Sequence, residues 1–279
     1  MIKGTACLER LRGAFSSEEG RRTVAEGRIR VFAVDVRGLP EIPDPRLSEL
    51  FPEWRAAEIR RYRMKEDRIR SAWAELLLRA MLEETCRISR TEQRILRRKD
   101  GKPYVSGEAA AGGNTGDPAV PGNSGAAEKY SGAAERDIGK LPEISLSHSG
   151  PWAAASIGPA PHGIDVEVPR NPEMIPGIAD RWFLPAEAEA LRKAPETERV
   201  ELFFRLWTVK ESFLKMTGTG LREGPQAADA LQLLSGGRTA AFSTVLPDGA
   251  LLSCCGPAEM LPEAPEIFSG EKLRALYSL

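Results

Sequence analysis

Three short stretches of this chain carry residues whose types and spacing could do chemistry. The first is Gly163-Ile164-Asp165-Val166-Glu167. If it is a strand, residues two apart share a face and lie about 6.5 Å from each other. Ile164, Val166 and Val168 then turn to the core while Asp165 and Glu167 project together on the other side. Two converging carboxylates repel unless a cation lies between them, and oxygen-only ligands suit magnesium, which keeps waters or substrate phosphates in its shell. A strand whose carboxylates simply face water has the same pattern, and Asp-x-Glu alone does not separate the two.

The second stretch is helical in its spacing. Phe204, Trp207, Glu211 and Lys215 recur three and four residues apart and form one stripe, aromatic at its start and ionic at its end. A surface Glu–Lys pair at this spacing is worth only about 0.2–0.5 kcal/mol. Here the pair continues a stripe that should be buried, while Val209 and Phe213 supply a separate apolar face. The third stretch, Ser145-Leu146-Ser147-His148-Ser149-Gly150, places one of only two histidines where a strand runs into a turn. Neighbours on a strand point to opposite faces, so Ser147 and His148 are badly placed to share a proton as nucleophile and base. An anion contact suits His148 better, with a structural turn residue as the alternative. His162, in a Gly-Pro-Ala-Pro turn, is assigned no role.

These stretches need elements to hold them. Residues 29–36 are rich in β-branched side chains and read as a strand. A short helix is expected over 52–62 and a long one over 66–86, where Ile69, Trp73, Leu76, Leu77 and Ala80 repeat at helical spacing. Strands follow around Tyr104 and Val105, over 144–147, 152–157 and 164–168. Helices are expected over 185–193 and 200–216, the latter ended by Gly218 and Gly220. Strand, short helix, long helix, strands: this order occurs twice, with Asp35 falling where Asp165 does. The fold class is therefore α+β, as two similar lobes, each a small antiparallel sheet with a long helix, and a crevice between them. A leader is read over 1–28, an N-terminal lobe over 29–159 and a C-terminal lobe over 160–279. Residues 106–140, dominated by Gly, Ala, Ser, Asn and Pro, read as a disordered insertion.

Composition narrows the function. The 279 residues carry a formal net charge of −1 and are 42% hydrophobic, as in an ordinary soluble protein. No apolar run reaches the roughly 20 residues that span a bilayer, and the first 20 residues lack a secretory core. The four cysteines form no Cys-x-x-Cys pair, so a reducing cytoplasm is expected. Residues 55–104 hold fifteen Lys or Arg against eight Asp or Glu. Such an excess on a neutral chain suits a polyanionic ligand or acidic partner as well as a solvated helix. Nucleic-acid modules, Walker loops, dinucleotide fingerprints, His-Glu-x-x-His and Gly-x-Ser-x-Gly are all missing.

Taken in order, Gly101-Lys102-Pro103, Leu146-Ser147-His148-Ser149, Gly163-Ile164-Asp165-Val166-Glu167, Trp207-Thr208-Val209-Lys210-Glu211-Ser212-Phe213-Leu214-Lys215 and Gly218-Thr219-Gly220-Leu221 resemble the 4′-phosphopantetheinyl transferase superfamily in its long, two-lobed form. The segment from Arg61 to Asp67 also looks like that family's N-terminal lobe. The resemblance covers roughly residues 29 to 235, the insertion apart. It implies transfer of the phosphopantetheine arm of coenzyme A to a serine of an acyl or peptidyl carrier protein by a cytoplasmic monomer. A coenzyme A or carrier binder without catalysis is the alternative. Asp165, Glu167 and Glu211 would hold magnesium, Glu211 would also be the base, and Lys215 would neutralise phosphate. His148 would meet the 3′-phosphate, with Lys102 and Ser147 near the cofactor. Arg55, Arg70 and Ser71 would line the nucleotide pocket. Lys210 belongs to the motif without a role of its own. The insertion is much longer than the family usually needs, although it falls at a connection between motifs, and the leader has no recognised counterpart; neither removes a motif residue.

Overall fold

A computed structural model of the chain describes residues 27–107, 141–220 and 224–279. The leader and the insertion expected from sequence lie outside the described residues, apart from two residues of each. The chain is a mixed α+β structure of small sheets and helices. It opens with β1 (Arg30–Asp35), α1 (Asp44–Leu50), α2 (Glu53–Arg60) and α3 (Lys65–Cys86). A hairpin of β2 (Ile95–Arg97) and β3 (Pro103–Val105) follows, then β4 (Glu143–Ser149), β5 (Trp152–Gly158) and β6 (Gly163–Glu167). The second half adds α4 (Ile175–Trp182), α5 (Pro185–Lys193), α6 (Glu196–Thr217) and α7 (Ala230–Ser235). It ends with β7 (Thr239–Val245), β8 (Leu251–Pro257), β9 (Glu266–Phe268) and α8 (Gly270–Leu276).

Two sheets carry the fold, one ordered β4-β5-β1-β9 and the other β6-β8-β7. Each is packed by one 22-residue helix, α3 on the first and α6 on the second. The apolar alternation along the strands explains the layering. Phe32 and Val34 of β1 join Trp73, Leu77 and Met81 of α3 in one core. Val31 and Ala33, one residue out of phase, join Ile164, Val166, Leu252 and Cys254 in a core between the sheets. Leu251 and Cys255, on the far face of β8, pack on Phe203, Leu206 and Val209 of α6. Every residue of β5, with Ala153, Ala154 and Ala155 at its middle, is buried, as a strand covered on both faces requires. Helix α6 stops where expected: Gly218 adopts φ +73° and donates its N–H to Leu214 O at 2.9 Å.

The last segment departs from the sequence expectation. Placed with the C-terminal lobe by a division at residue 160, it instead completes the first sheet. β9 runs parallel to β1, unlike the antiparallel pairs expected throughout. Phe268, Leu273 and Tyr277 enter the α3 core, and Tyr277 Oη donates to Leu76 O at 2.8 Å. A three-residue strand shows no period, and its partner lies more than two hundred residues upstream. Helices α1, α4, α7 and α8, of six to eight residues each, were likewise too short for their periodicity to show. No helix among the described residues is long and apolar enough to cross a membrane.

Candidate functional site

The site forms where β4, the edge of one sheet, meets β6, the edge of the other. Their backbones are not paired with each other; serine hydroxyls fill the gap. Ser145, Ser147 and Ser149 of β4 accept the N–H groups of Ile164, Val166 and Val168 at 3.1, 3.2 and 3.3 Å. Alternate residues of β4 thus satisfy alternate edge donors along β6, which would otherwise be buried without partners. The same spacing puts a hydroxyl beside each carboxylate. Ser147 Oγ donates to Asp165 Oδ1 at 2.9 Å, and Ser149 Oγ donates to Glu167 Oε2 at 2.6 Å.

Helix α6 closes the site from the other side. Lys215 Nζ donates to Asp165 Oδ1 at 2.8 Å and to Ser147 Oγ at 2.9 Å. Asp165 is 4% exposed, and its second oxygen, Oδ2, is buried with no hydrogen-bond partner. So Asp165 and Glu167 do share the face away from Ile164 and Val166, and that face is turned to α6 rather than to water. Glu211 lies one turn before Lys215 and lines the same cleft as both carboxylates. Burial first, then the charge of Asp165, pushes Glu211 up to about 7. Glu167 is raised as well, by burial and by Asp165. Burial and the charge of Asp165 thus both favour the protonated forms of Glu167 and Glu211, as in a cluster short of positive charge.

The cleft measures 420 Å³ and is lined on its other wall by Arg55, Tyr62, Ser71, Arg97 and His148. His148 packs edge-on against Tyr62 with ring centroids 6.4 Å apart. Burial, then Lys215 and Arg70, bring its pKa down to about 4. It is thus a neutral imidazole in a positive field, and an anion placed there would be attracted by its neighbours. Arg55 is inside rather than at the surface: Nε pairs with Glu75 at 2.5 Å and Nη1 with Glu58 at 2.7 Å. Its Nη2 donates to Ser71 Oγ at 2.8 Å, so Arg55 and Ser71 form one unit of the wall.

Two of the sequence candidates are placed differently. Arg70 pairs with Asp67 and donates to Gly150 O at 2.9 Å, and it is not among the residues lining the cleft. Lys102 caps α6, with Nζ donating to Met216 O at 2.8 Å. Burial lowers its pKa despite Glu143 nearby. It lines an adjoining cavity of 290 Å³ with Pro103, Ser145, Leu214 and Gly218. The two cavities share Arg97, Leu146, Glu211 and Lys215, so they adjoin at these residues.

Sequence reasoning missed Tyr62, Arg97, Ser145 and Ser149. The serines were in plain view as an alternating Ser-x-Ser-x-Ser run, and its meaning needed the second strand beside it. His162 and Lys210 also gain roles. His162 is 0% exposed and plugs the turn between β5 and β6, its Nε2 2.9 Å from Ser156 Oγ and its Nδ1 2.9 Å from Ala160 O. A carbonyl only accepts, so Nδ1 carries the proton and Nε2 receives the Ser156 hydroxyl. Lys210 forms a fully buried ion pair with Glu187 at 2.7 Å and donates to Pro225 O and Ala228 O at 3.1 and 2.6 Å.

Whether these residues suit a magnesium ion can be tested on their own chemistry. All the donors are oxygens, one buried carboxylate oxygen is orphaned, and two of the carboxylates hold raised pKa values. Each is relieved by a cation. Among the described residues, however, no three carboxylate, imidazole or thiol groups already converge on a single point. The set therefore suits an ion that takes only part of its shell from protein and the rest from water and phosphate, as magnesium does.

Comparison with known proteins adds an independent finding. Residues 161–252 match the model of the 4′-phosphopantetheinyl transferase superfamily. The chain is 25% identical over 185 residues to the 4′-phosphopantetheinyl transferase ffp of Bacillus subtilis, covering 66% of this chain and 68% of that protein. It is 38% identical over 81 residues to the transferase psf-1 of Bacillus pumilus, covering 29% and 34% of the two chains. With the transferase gsp of Aneurinibacillus migulanus it is 31% identical over 163 residues, 58% of this chain and 53% of that one. The chain thus spans between 34% and 68% of the length of these curated relatives.

Proposed function

From a chain that carries a domain of the 4′-phosphopantetheinyl transferase superfamily, we propose transfer of the phosphopantetheine arm of coenzyme A to a carrier-protein serine, releasing 3′,5′-ADP. One observation carries the reading. Asp165, Glu167 and Glu211 line a single cleft with Lys215 and a cation-rich wall, a setting made for a polyphosphate and its counter-ion. The two helix-packed sheets, one contributing each wall, are read as two copies of one plan.

Coenzyme A lies in the cleft, its phosphates between Lys215 and the wall that carries His148. Asp165, Glu167 and Glu211 would hold magnesium, which when bound supplies Lewis-acid withdrawal of charge from the pyrophosphate. The carrier serine oxygen attacks the phosphoryl group that bears the pantetheine arm. A new P–O bond forms, the pyrophosphate P–O bond breaks, and the electrons leave on 3′,5′-ADP. Glu211 takes the serine proton, directly or through water, from its place in the cleft beside Lys215. Lys215, tied to Asp165 and Ser147, is pinned where negative charge grows on the leaving side.

The test is mass spectrometry of apo carrier proteins from fatty-acid, polyketide and nonribosomal peptide synthases, incubated with this protein, coenzyme A and magnesium. A phosphopantetheine adduct on the carrier serine is expected. No adduct on any carrier class would sink the proposal.

A further inference from the structure

The three serines of β4 make the same contact with β6 and differ in what lies beyond it. Each accepts a backbone N–H across the seam, Ser145 from Ile164, Ser147 from Val166 and Ser149 from Val168. The residue before each of these donors decides the rest. Before Ile164 stands Gly163, which has no side chain to receive a proton. Before Val166 stands Asp165, which Ser147 shares with Lys215. Before Val168 stands Glu167, and among the described residues Ser149 is the one hydrogen-bond donor it has.

The Ser149 hydroxyl has a single proton to give. The Val168 N–H is itself a donor and takes up a lone pair, so the proton goes to Glu167 Oε2, 2.6 Å away. Ser149 is 6% exposed, and its backbone is held on three sides. It pairs in register with Trp152 of β5. The next residue, Gly150, has φ +52° and lies so near β6 that a Cβ there would stand 2.5 Å from Val168 Cγ2. Arg70 then ties down the turn by donating to Gly150 O at 2.9 Å. A buried donor of fixed direction thus holds one oxygen of a long side chain that otherwise samples several rotamers.

We propose that Ser149 is a positioning residue for the divalent cation: by holding Oε2 of Glu167 it leaves Oε1 as the oxygen offered to the ion. Asp165 is laid out in the same way, with Oδ1 taken by Ser147 and Lys215 and Oδ2 buried without a partner. Each carboxylate then has one oxygen tied to the protein and one left over. That suits an ion which takes single oxygens from protein and completes its shell with water and phosphate. The inference rests on the reading of these carboxylates as cation ligands, and not on phosphopantetheine transfer itself.

Manganese(II), a spectroscopic substitute for magnesium, tests it when titrated into the full chain, with the free ion counted by electron paramagnetic resonance. Ser149→Ala is expected to weaken manganese binding about 10–100-fold, as loss of a partner to a ligating carboxylate does. The magnesium needed for half-maximal transfer should rise by the same factor, and transfer should recover at saturating magnesium. Ser149→Thr, which keeps the hydroxyl, should bind manganese like the parent. Ser145→Ala removes the same seam contact without touching a carboxylate, so it should lower the melting temperature and leave manganese affinity unchanged. Should Ser149→Ala fail to fold, Ser149→Cys, with only a weak S–H donor, takes its place with the same expectation. Parental manganese affinity in the variant that lacks the hydroxyl overturns the role of Ser149, as does an equal loss in Ser145→Ala or no manganese binding by the parent. If manganese binding responds as expected but the parent transfers nothing to any carrier, the transferase function falls and the role of Ser149 stands.

Discussion

Gly163 lies directly against the backbone carbonyl of Ser212: a Cβ at Gly163 would overlap Ser212 O and crowd the backbone of Lys215 and Met216. Strand β6 can approach α6 only because this residue has no side chain. That approach brings Asp165, two residues along, within 2.8 Å of Lys215. Gly163→Ala is expected to push the strand outward and cost about 1–3 kcal/mol of stability. The Asp165–Lys215 distance should grow with it, so transfer should fall far more than stability does. Thermal unfolding and kcat/KM on the same preparation check both; an alanine variant with parental kcat/KM would show that the contact does not set the site.

The carboxylates should matter through a divalent cation. Asp165→Asn and Glu211→Gln keep shape and remove charge. Each should abolish measurable transfer while leaving the circular dichroism spectrum and melting temperature near the parent. The parent should lose activity on chelation and regain it with magnesium. Transfer that survives exhaustive chelation would remove the metal from the account.

How far this site was legible in the sequence follows from the range of each interaction. Asp165 and Glu167 sharing a face, and Glu211 and Lys215 sharing a stripe, follow from strand and helix periods alone. The end of α6 at Gly218 was equally local. What Asp165 faces was not local: the same alternation serves a solvated strand, and only the approach of α6 to Gly163 decides between them. Arg55 illustrates the converse. Its charge was counted in a basic stretch, yet two glutamates consume it inside the protein. Arg97, in the same stretch, lines the cleft and shares its partner Glu58 with Arg55. β9 was invisible because three residues carry no period, and its pairing with β1 joins opposite ends of the chain.

The Lys210–Glu187 pair separates charge attraction from hydrogen-bond satisfaction. Both residues are 0% exposed. Glu187 accepts from Leu184 N and Ala230 N, each at 2.7 Å, while Lys210 serves the carbonyls of Pro225 and Ala228. Glu187→Ala strands a buried ammonium and should cost about 3–5 kcal/mol in urea denaturation. Were attraction between the charges the whole benefit, the apolar pair Glu187→Leu with Lys210→Met would restore stability. Four backbone groups would still be orphaned, so the double variant should remain at least ~2 kcal/mol below the parent. A double variant as stable as the parent would overturn this.

His162 should make the fold acid-sensitive at the junction of the two sheets. Burial lowers its pKa to about 4, against an ordinary value of 6.5, even though its hydrogen bond to Ala160 O and Glu143 favour the cation; Lys102 opposes it. The unfolded chain therefore binds a proton at higher pH than the folded one. The folded state keeps its full advantage above about 6.5 and loses it progressively as pH falls toward 4. The span corresponds to roughly 3 kcal/mol. Carboxylates and His148 also titrate over this range, so the comparison has to be with His162→Gln, whose amide can still serve Ser156. Urea denaturation at pH 7.5, 6.0 and 5.0 should show the parent losing stability faster than the Gln variant, with the two curves converging in acid. Parallel curves would mean that the imidazole takes up its proton without opening the turn.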